Sequence, residues 1–243
     1  MTPRHSPELP QDRERIFNVS PVVVWLMVII TMVHGFLSVL PVEYRDEALW
    51  QLALIPAREM AFWGHGAFHG SGIYQLMFSW TPVTSIFLHG NWTHLVVNLV
   101  WLLAFGSPMV RVLGPWWFIL FYLLCGLAGS MIYMALNIDS TALVIGASGA
   151  VSGLMGGVIG MMFWPRLLLG SDIIGGENGW ASSPKPSSIV MFVGVWLVIN
   201  FLFGWAGIGP AGEPAAIAWE AHMGGFLAGF LLIRPFLRRL FLR

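Results

Sequence analysis

Four side chains in this sequence have the types and positions needed for acyl transfer: His94, Asn98, Ser148 and His222. Ser148 stands in the run Val144-Ile145-Gly146-Ala147-Ser148-Gly149-Ala150-Val151-Ser152-Gly153, at the mouth of an apolar helix. A serine hydroxyl attacks a carbonyl only when a base within about 2.6–3.2 Å takes its proton. His222, in a separate apolar segment, is of the type to do this. His94 and Asn98 are four residues apart and share a helix face. Both can donate hydrogen bonds, as can the backbone N–H of Ser148 at its helix start. Donors converging on one point form an oxyanion hole, and a helix N-terminus adds partial positive charge there. Each group also admits a plainer role: His94 and Asn98 as a polar clamp between helices, His222 as a hydrogen-bonded bundle histidine.

The elements that must position these groups lie in a membrane. The 243 residues are 57% hydrophobic and 10% charged, whereas soluble domains carry about 25% charged residues. Twelve basic and twelve acidic residues balance, which argues against nucleic acid as a partner. Cys125 is alone, so no disulfide forms within the chain. A span needs roughly 17–25 predominantly apolar residues, and six segments qualify, at about 21–40, 92–110, 116–136, 146–164, 187–205 and 216–234. The first has Ser20 to cap it and Pro21 at its first position, and reads as a retained span because no small-residue cleavage pattern follows. These features predict an all-α polytopic membrane protein: a short tail over 1–20, a six-span domain over 21–235 and a basic tail over 236–243. Residues 41–91, too long for a tight turn and rich in aromatics, predict a loop lying in the membrane interface between spans one and two.

Of the twelve Lys and Arg residues, ten fall in the termini and the even-numbered connections, and only Arg45 and Arg58 fall in the others. That asymmetry predicts both termini in the cytoplasm. Spans two, four and six then run the same way, and their first turns hold His94 with Asn98, Ser148, and His222 at one depth. Ser148, Ser152, Gly156 and Gly160 form a row on span four, and Gly225 and Gly229 follow His222 on span six. Small residues of this kind let two helices approach closely, as a serine–histidine hydrogen bond requires. The other polar residues draw modest expectations. His89 ties the loop to span two, Asn200 is interhelical glue, Ser152 is a small packing residue, and Trp164, Trp205 and Trp219 are interfacial anchors. His34 has no identifiable partner, and His5, His65 and His69 receive no role.

Together these residues resemble the rhomboid family of intramembrane serine proteases. The resemblance rests on His89-Gly90-Asn91-Trp92-Thr93-His94-Leu95-Val96-Val97-Asn98, on Gly146-Ala147-Ser148-Gly149 and on Ala221-His222-Met223-Gly224-Gly225, in that order, and covers about 20–235. It implies a six-helix rhomboid-like bundle in which Ser148 is the nucleophile and His222 the general base, a catalytic dyad. His94, Asn98 and the Ser148 N–H would hold the oxyanion. Gly146 and Gly149 would permit the turn and close backbone approach, Gly225 and Gly229 would seat span six, and His89 would support the site. Two positions depart from the family pattern. Trp80 is followed by Thr81 where many bacterial members have arginine. Ser152 stands four after the serine, where an aromatic often stacks on the histidine.

The expected activity is endopeptidase cleavage of transmembrane segments of other membrane proteins, single-span ones included, near the outer face of a bacterial cytoplasmic membrane. No cofactor is expected. A zinc site on His89, His94 and His222 is disfavoured because the spacing is not that of H-E-x-x-H and no carboxylate base lies beside it. The alternative from another class is an inactive rhomboid-like protein that binds membrane proteins without cutting them.

Overall fold

The computed structural model describes residues 19–62, 79–169, 186–207 and 218–241. The fold is all-α. Among the described residues the extended backbone amounts to one isolated antiparallel bridge, between Leu54 and Val144. All six apolar segments are helical: α1 (Pro21–Val39), α5 (Trp92–Leu113), α6 (Pro115–Leu136), α7 (Ser148–Leu169), α8 (Pro186–Ala206) and α9 (Trp219–Phe241). Among the described residues of the long connection, three short helices precede α5: α2 (Val42–Leu52), α3 (Pro56–Met60) and α4 (Thr81–Thr84), the last continuing into a 3₁₀ turn over Ser85–Phe87. Residues 63–78 of this connection, with His65 and His69, lie outside the described residues, as does His5.

Proline and glycine set several boundaries. Pro21 and Pro115 stand at the start of α1 and α6, where a missing N–H costs nothing. Gly114, at φ 77°, is the single residue between α5 and α6, a backbone that side chains resist. Ser20 occupies the N-cap of α1, but its side chain makes no capping bond. Asn91 caps α5 instead, its side chain accepting from the His94 N–H at 2.8 Å. α5 passes through Pro108, as the expected span over 92–110 requires, and α9 runs past its expected end at 234 through Pro235. Neighbouring helices tolerate such an interruption in a membrane bundle.

Among the described residues, α1, α5, α6 and Ser187–Ala206 are long and apolar enough to cross a membrane. α7 is apolar over Ser148–Trp164. Ala150, Leu154 and Met155 of α7 are buried, so the helix meets protein where others meet lipid and can be built of glycine. The chain is a polytopic membrane protein with α7 at its centre.

The α7–α9 seam has almost no side chains in it. A Cβ on Gly225 would overlap the Gly149 carbonyl, one on Gly229 the Gly153 carbonyl, and one on Gly156 the Phe226 carbonyl. Trp164, expected as an interfacial anchor, instead packs across this seam, donating to the Phe230 carbonyl at 2.7 Å with Arg234 over its ring. By contrast α8 sits at the edge, with Val190, Met191, Val195, Val198, Phe201 and Leu202 exposed.

The first connection is knitted to the chain ahead of Ser148. Leu54 and Val144 exchange both backbone hydrogen bonds, at 3.2 and 2.8 Å, the Ala57 N–H donates to the Ser140 carbonyl, and the Gly146 N–H to the Ser85 carbonyl. The departure at Thr81 acquires a physical account here. Thr81 Oγ1 donates to Glu59 Oε1 at 2.7 Å, and the same carboxylate pairs with Arg58 at 2.6 Å. Arg58 also donates to the carbonyls of Trp50 and Ala53. An arginine therefore anchors the connection after all, from 23 positions before Thr81. Both ions are buried, and removing one member of such a pair costs about 3–5 kcal/mol.

Candidate active site

The site lies where the first turns of α5, α7 and α9 meet the side of α8. His222 Nε2 is 2.7 Å from Ser148 Oγ. The close approach follows from the glycine seam, because α9 lies directly on the α7 backbone at Gly149, next to the serine, and at Gly153, just over one turn further on. The lead-in to α7 also needs a glycine. Gly146 adopts φ 131°, and a Cβ there would stand 2.8 Å from the His94 ring and 3.6 Å from Ser148 Oγ. Removing that one carbon lets His94 lie beside the serine. Of the turn and the close backbone approach expected of Gly146 and Gly149, Gly149 serves the approach: it lies inside α7, and a Cβ on it would stand 3.4 Å from the Ala221 carbonyl.

Asn98 is buried on the same face as His94, one of its two amide hydrogens going to the His94 carbonyl at 2.9 Å. A cavity of about 630 Å³ opens here, and His94, Asn98, Ser148, Ser152 and His222 all line it. Its wall continues sideways over Trp101 and Phe105 of α5 and Trp196 and Ile199 of α8. The site thus has polar groups at one end and an apolar flank between two helices.

His89 lies behind the serine lead-in, outside the spans. Its Nε2 accepts from the Ala147 N–H at 3.4 Å, so it supports the residue before Ser148 rather than tying the connection to α5. Burial, followed by the neighbouring His94 and His34 rings, lowers its pKa to about 3, so the ring is neutral at physiological pH. His34, for which the sequence suggests no partner, donates from Nδ1 to the His89 carbonyl at 3.1 Å and meets the Trp92 ring edge-on at 4.6 Å. Glu220 accepts from Asn137 at 3.4 Å, which occupies it away from His222. Among the described residues no group of His, Cys, Asp and Glu could hold a metal ion.

The arrangement thus combines a hydroxyl, an imidazole at hydrogen-bond distance and a histidine–asparagine pair around one cavity. A family model described as the Rhomboid domain matches residues 77–239. The chain belongs to the rhomboid family. This rhomboid is 27% identical over 161 residues to RHOMBOID-like protein 5 of Arabidopsis thaliana, covering 64% of this chain and 45% of that one. It is 26% identical over 190 residues to YdcA of Bacillus subtilis, covering 76% and 80%. The rhomboid protease GluP of Bacillus subtilis is 28% identical over 155 residues, 62% of this chain and 25% of its own length. The matched part of this rhomboid therefore spans less than half of RHOMBOID-like protein 5 and a quarter of GluP.

Sequence reasoning missed one group at the site. Asn200 of α8, expected to be glue between helices, has its Oδ1 2.5 Å from His222 Nδ1. A single polar residue in an apolar span is a signal, but it does not say which helix it faces.

Proposed function

We propose that this rhomboid is an intramembrane serine endopeptidase acting through Ser148 and His222. The 2.7 Å separation of Ser148 Oγ and His222 Nε2 carries the reading. In the first step Oγ attacks the scissile carbonyl carbon and its proton passes to Nε2. The oxyanion is held by the Ser148 N–H, His94 and Asn98. One missing oxyanion donor typically costs about 10²–10³ in rate. The tetrahedral species collapses, the leaving amine takes the proton from Nε2, and an acyl-enzyme remains. Water, activated by the same nitrogen, then releases the acid and restores the serine.

The substrate class follows from the cavity. Its polar end can admit water and its apolar flank between α5 and α8 suits a segment arriving from lipid. A helical amide is shielded by its own hydrogen bonds, so the substrate helix must unwind near the cut, and small or helix-weakening residues there favour cleavage. In this reading the catalytic domain is residues 21–235 with six spans. Both termini face the cytoplasm of a bacterial cell, and cleavage occurs toward the outer face of its cytoplasmic membrane. The ten-to-two distribution of basic residues supports that orientation.

The test is covalent labelling by a fluorophosphonate in reconstituted bilayers, alongside cleavage of a single-span substrate. Wild type should be labelled and should cleave; Ser148→Ala and His222→Ala should do neither. Unlabelled, inactive wild type in a folded sample would mean a rhomboid that binds membrane proteins without cutting them. Unimpaired cleavage by Ser148→Ala would remove the serine from the mechanism.

A further inference from the structure

Asn200 is the only hydrogen-bonding amide, and the only charged or strongly polar side chain, between Ile189 and Ala206 of α8. Burying a primary amide in an apolar helix is costly unless both of its ends find partners. Both do. The Nδ2 group donates to the Trp196 carbonyl one turn earlier at 2.8 Å, and Oδ1 faces His222 Nδ1 at 2.5 Å. The amide can point only one way, since the Trp196 carbonyl has no proton to give and the NH₂ must face it. The oxygen is left for His222, so Nδ1 carries the hydrogen and donates. With its proton on Nδ1, the neutral ring presents a lone pair at Nε2, 2.7 Å from the serine hydroxyl. Reversing the amide would set an acceptor against an acceptor and turn an N–H toward Ser148, the wrong tautomer for a base.

The contact belongs to a row. Trp196 stacks on Phe226 with centroids 5.3 Å apart. A Cβ on Gly204 would stand 2.6 Å from the Trp219 ring. Positions 196, 200 and 204 of α8 therefore meet 226, 222 and 219 of α9 in antiparallel order, with the amide in the middle. Position 152, one turn after the serine, carries no ring to hold the imidazole.

We infer that Asn200 is a positioning residue that fixes the tautomer and orientation of His222, making a Ser148–His222–Asn200 relay whose third member stands on the outermost helix of the site. The inference rests on the serine-protease reading but is tested separately from it. A cysteine–histidine–asparagine arrangement solves the same tautomer problem on unrelated folds. Here the contact has a second effect: α8 must be docked along its row for the base to be set.

The experiment compares Asn200→Leu, which keeps the volume and removes the acceptor, with Asn200→Ala. Fluorophosphonate labelling rate and kcat should fall by about ten- to a hundredfold, a part of the 10²–10⁴-fold that a positioned base supplies. KM and melting temperature should change little. The ¹⁵N spectrum of histidine-labelled protein should show His222 with its hydrogen on Nδ1 in wild type and a mixture of tautomers in Asn200→Leu. That measurement needs no turnover, so it tests the relay even if Ser148 proves unreactive. Wild-type labelling by both variants, or an unchanged ¹⁵N pattern in Asn200→Leu, would overturn the inference and leave Asn200 as packing. Loss of labelling in Ser148→Ala alone bears on the proposed function, not on Asn200.

Discussion

The α carbon of Gly225 lies against the carbonyl of Gly149, so close that no side chain of any size fits between α9 and α7. The obstacle is backbone on both sides, which cannot swing away as a flexible side chain would. Gly225→Ala must push the two helices apart, at a cost of about 1–3 kcal/mol or more. The same displacement lengthens the path from Ser148 to His222, three residues before Gly225. We expect a lower melting temperature in detergent and a fall in labelling of Ser148, measured on one sample. Wild-type values of both would show that the seam yields more easily than its geometry implies.

Gly146 makes a sharper prediction, because it touches the site without bearing on the bundle. An alanine there must adopt φ near 131° and place its Cβ 2.8 Å from the His94 ring. The backbone strain is worth about 1–3 kcal/mol. The ring displacement acts on rate, where a 1 Å error can cost about 10²-fold. Gly146→Ala should therefore lose kcat far out of proportion to its loss of thermal stability. Proportional losses would mean that His94 has room to move aside.

Stability should depend on pH through His89. Its folded pKa, about 3, lies below the ordinary 6.5 because burial disfavours the charged ring. The unfolded chain takes up a proton near pH 6.5 that the folded chain refuses until about pH 3. The stability present above pH 6.5 is thus lost progressively as pH falls through that window, by up to about 1.4 kcal/mol per pH unit. Melting curves between pH 7.5 and 4.5 should show the decline, and His89→Gln should flatten it. Parallel curves for the two proteins would assign the decline to other groups.

The buried ion pair in the first connection gives a conservative test. Thr81→Val keeps the shape and removes the hydroxyl that donates to Glu59. Glu59 Oε1 keeps its Arg58 donor at 2.6 Å but loses one of two hydrogen bonds, and a hydrogen bond to a charged group contributes about 1.5–3 kcal/mol. We expect that loss in chemical denaturation, largely restored in Thr81→Ser. An unaffected Thr81→Val variant would leave Arg58 holding the carboxylate alone.

Helix positions were legible because each apolar stretch is long and bounded by proline, glycine or charge. Their ends were less so, since hydrophobicity cannot tell that α9 runs through Pro235 to Phe241. The approach of α7 and α9 was legible in the small-residue rows, whose periodicity is a property of each helix alone. Asn200 was not, because its meaning depends on the register between α8 and α9, which no single-helix pattern encodes. The same holds for the Arg58–Glu59 pair, whose further partner Thr81 lies 22 residues beyond Glu59 across an irregular connection. Both cases turn on a polar atom finding its partner in three dimensions, where spacing along the chain is a poor guide.

The bridge between Leu54 and Val144 and the row between α8 and α9 also have an order in time. Ribosomal synthesis delivers the first connection before the serine lead-in that pairs with it, and Asn200 and His222 only after α7. A nascent chain halted after α7 holds Ser148 on its supported lead-in but has no imidazole to deprotonate it. In the proposed mechanism the growing polypeptide is thus inert toward its neighbours in the translocon, and toward itself, until α9 has been inserted.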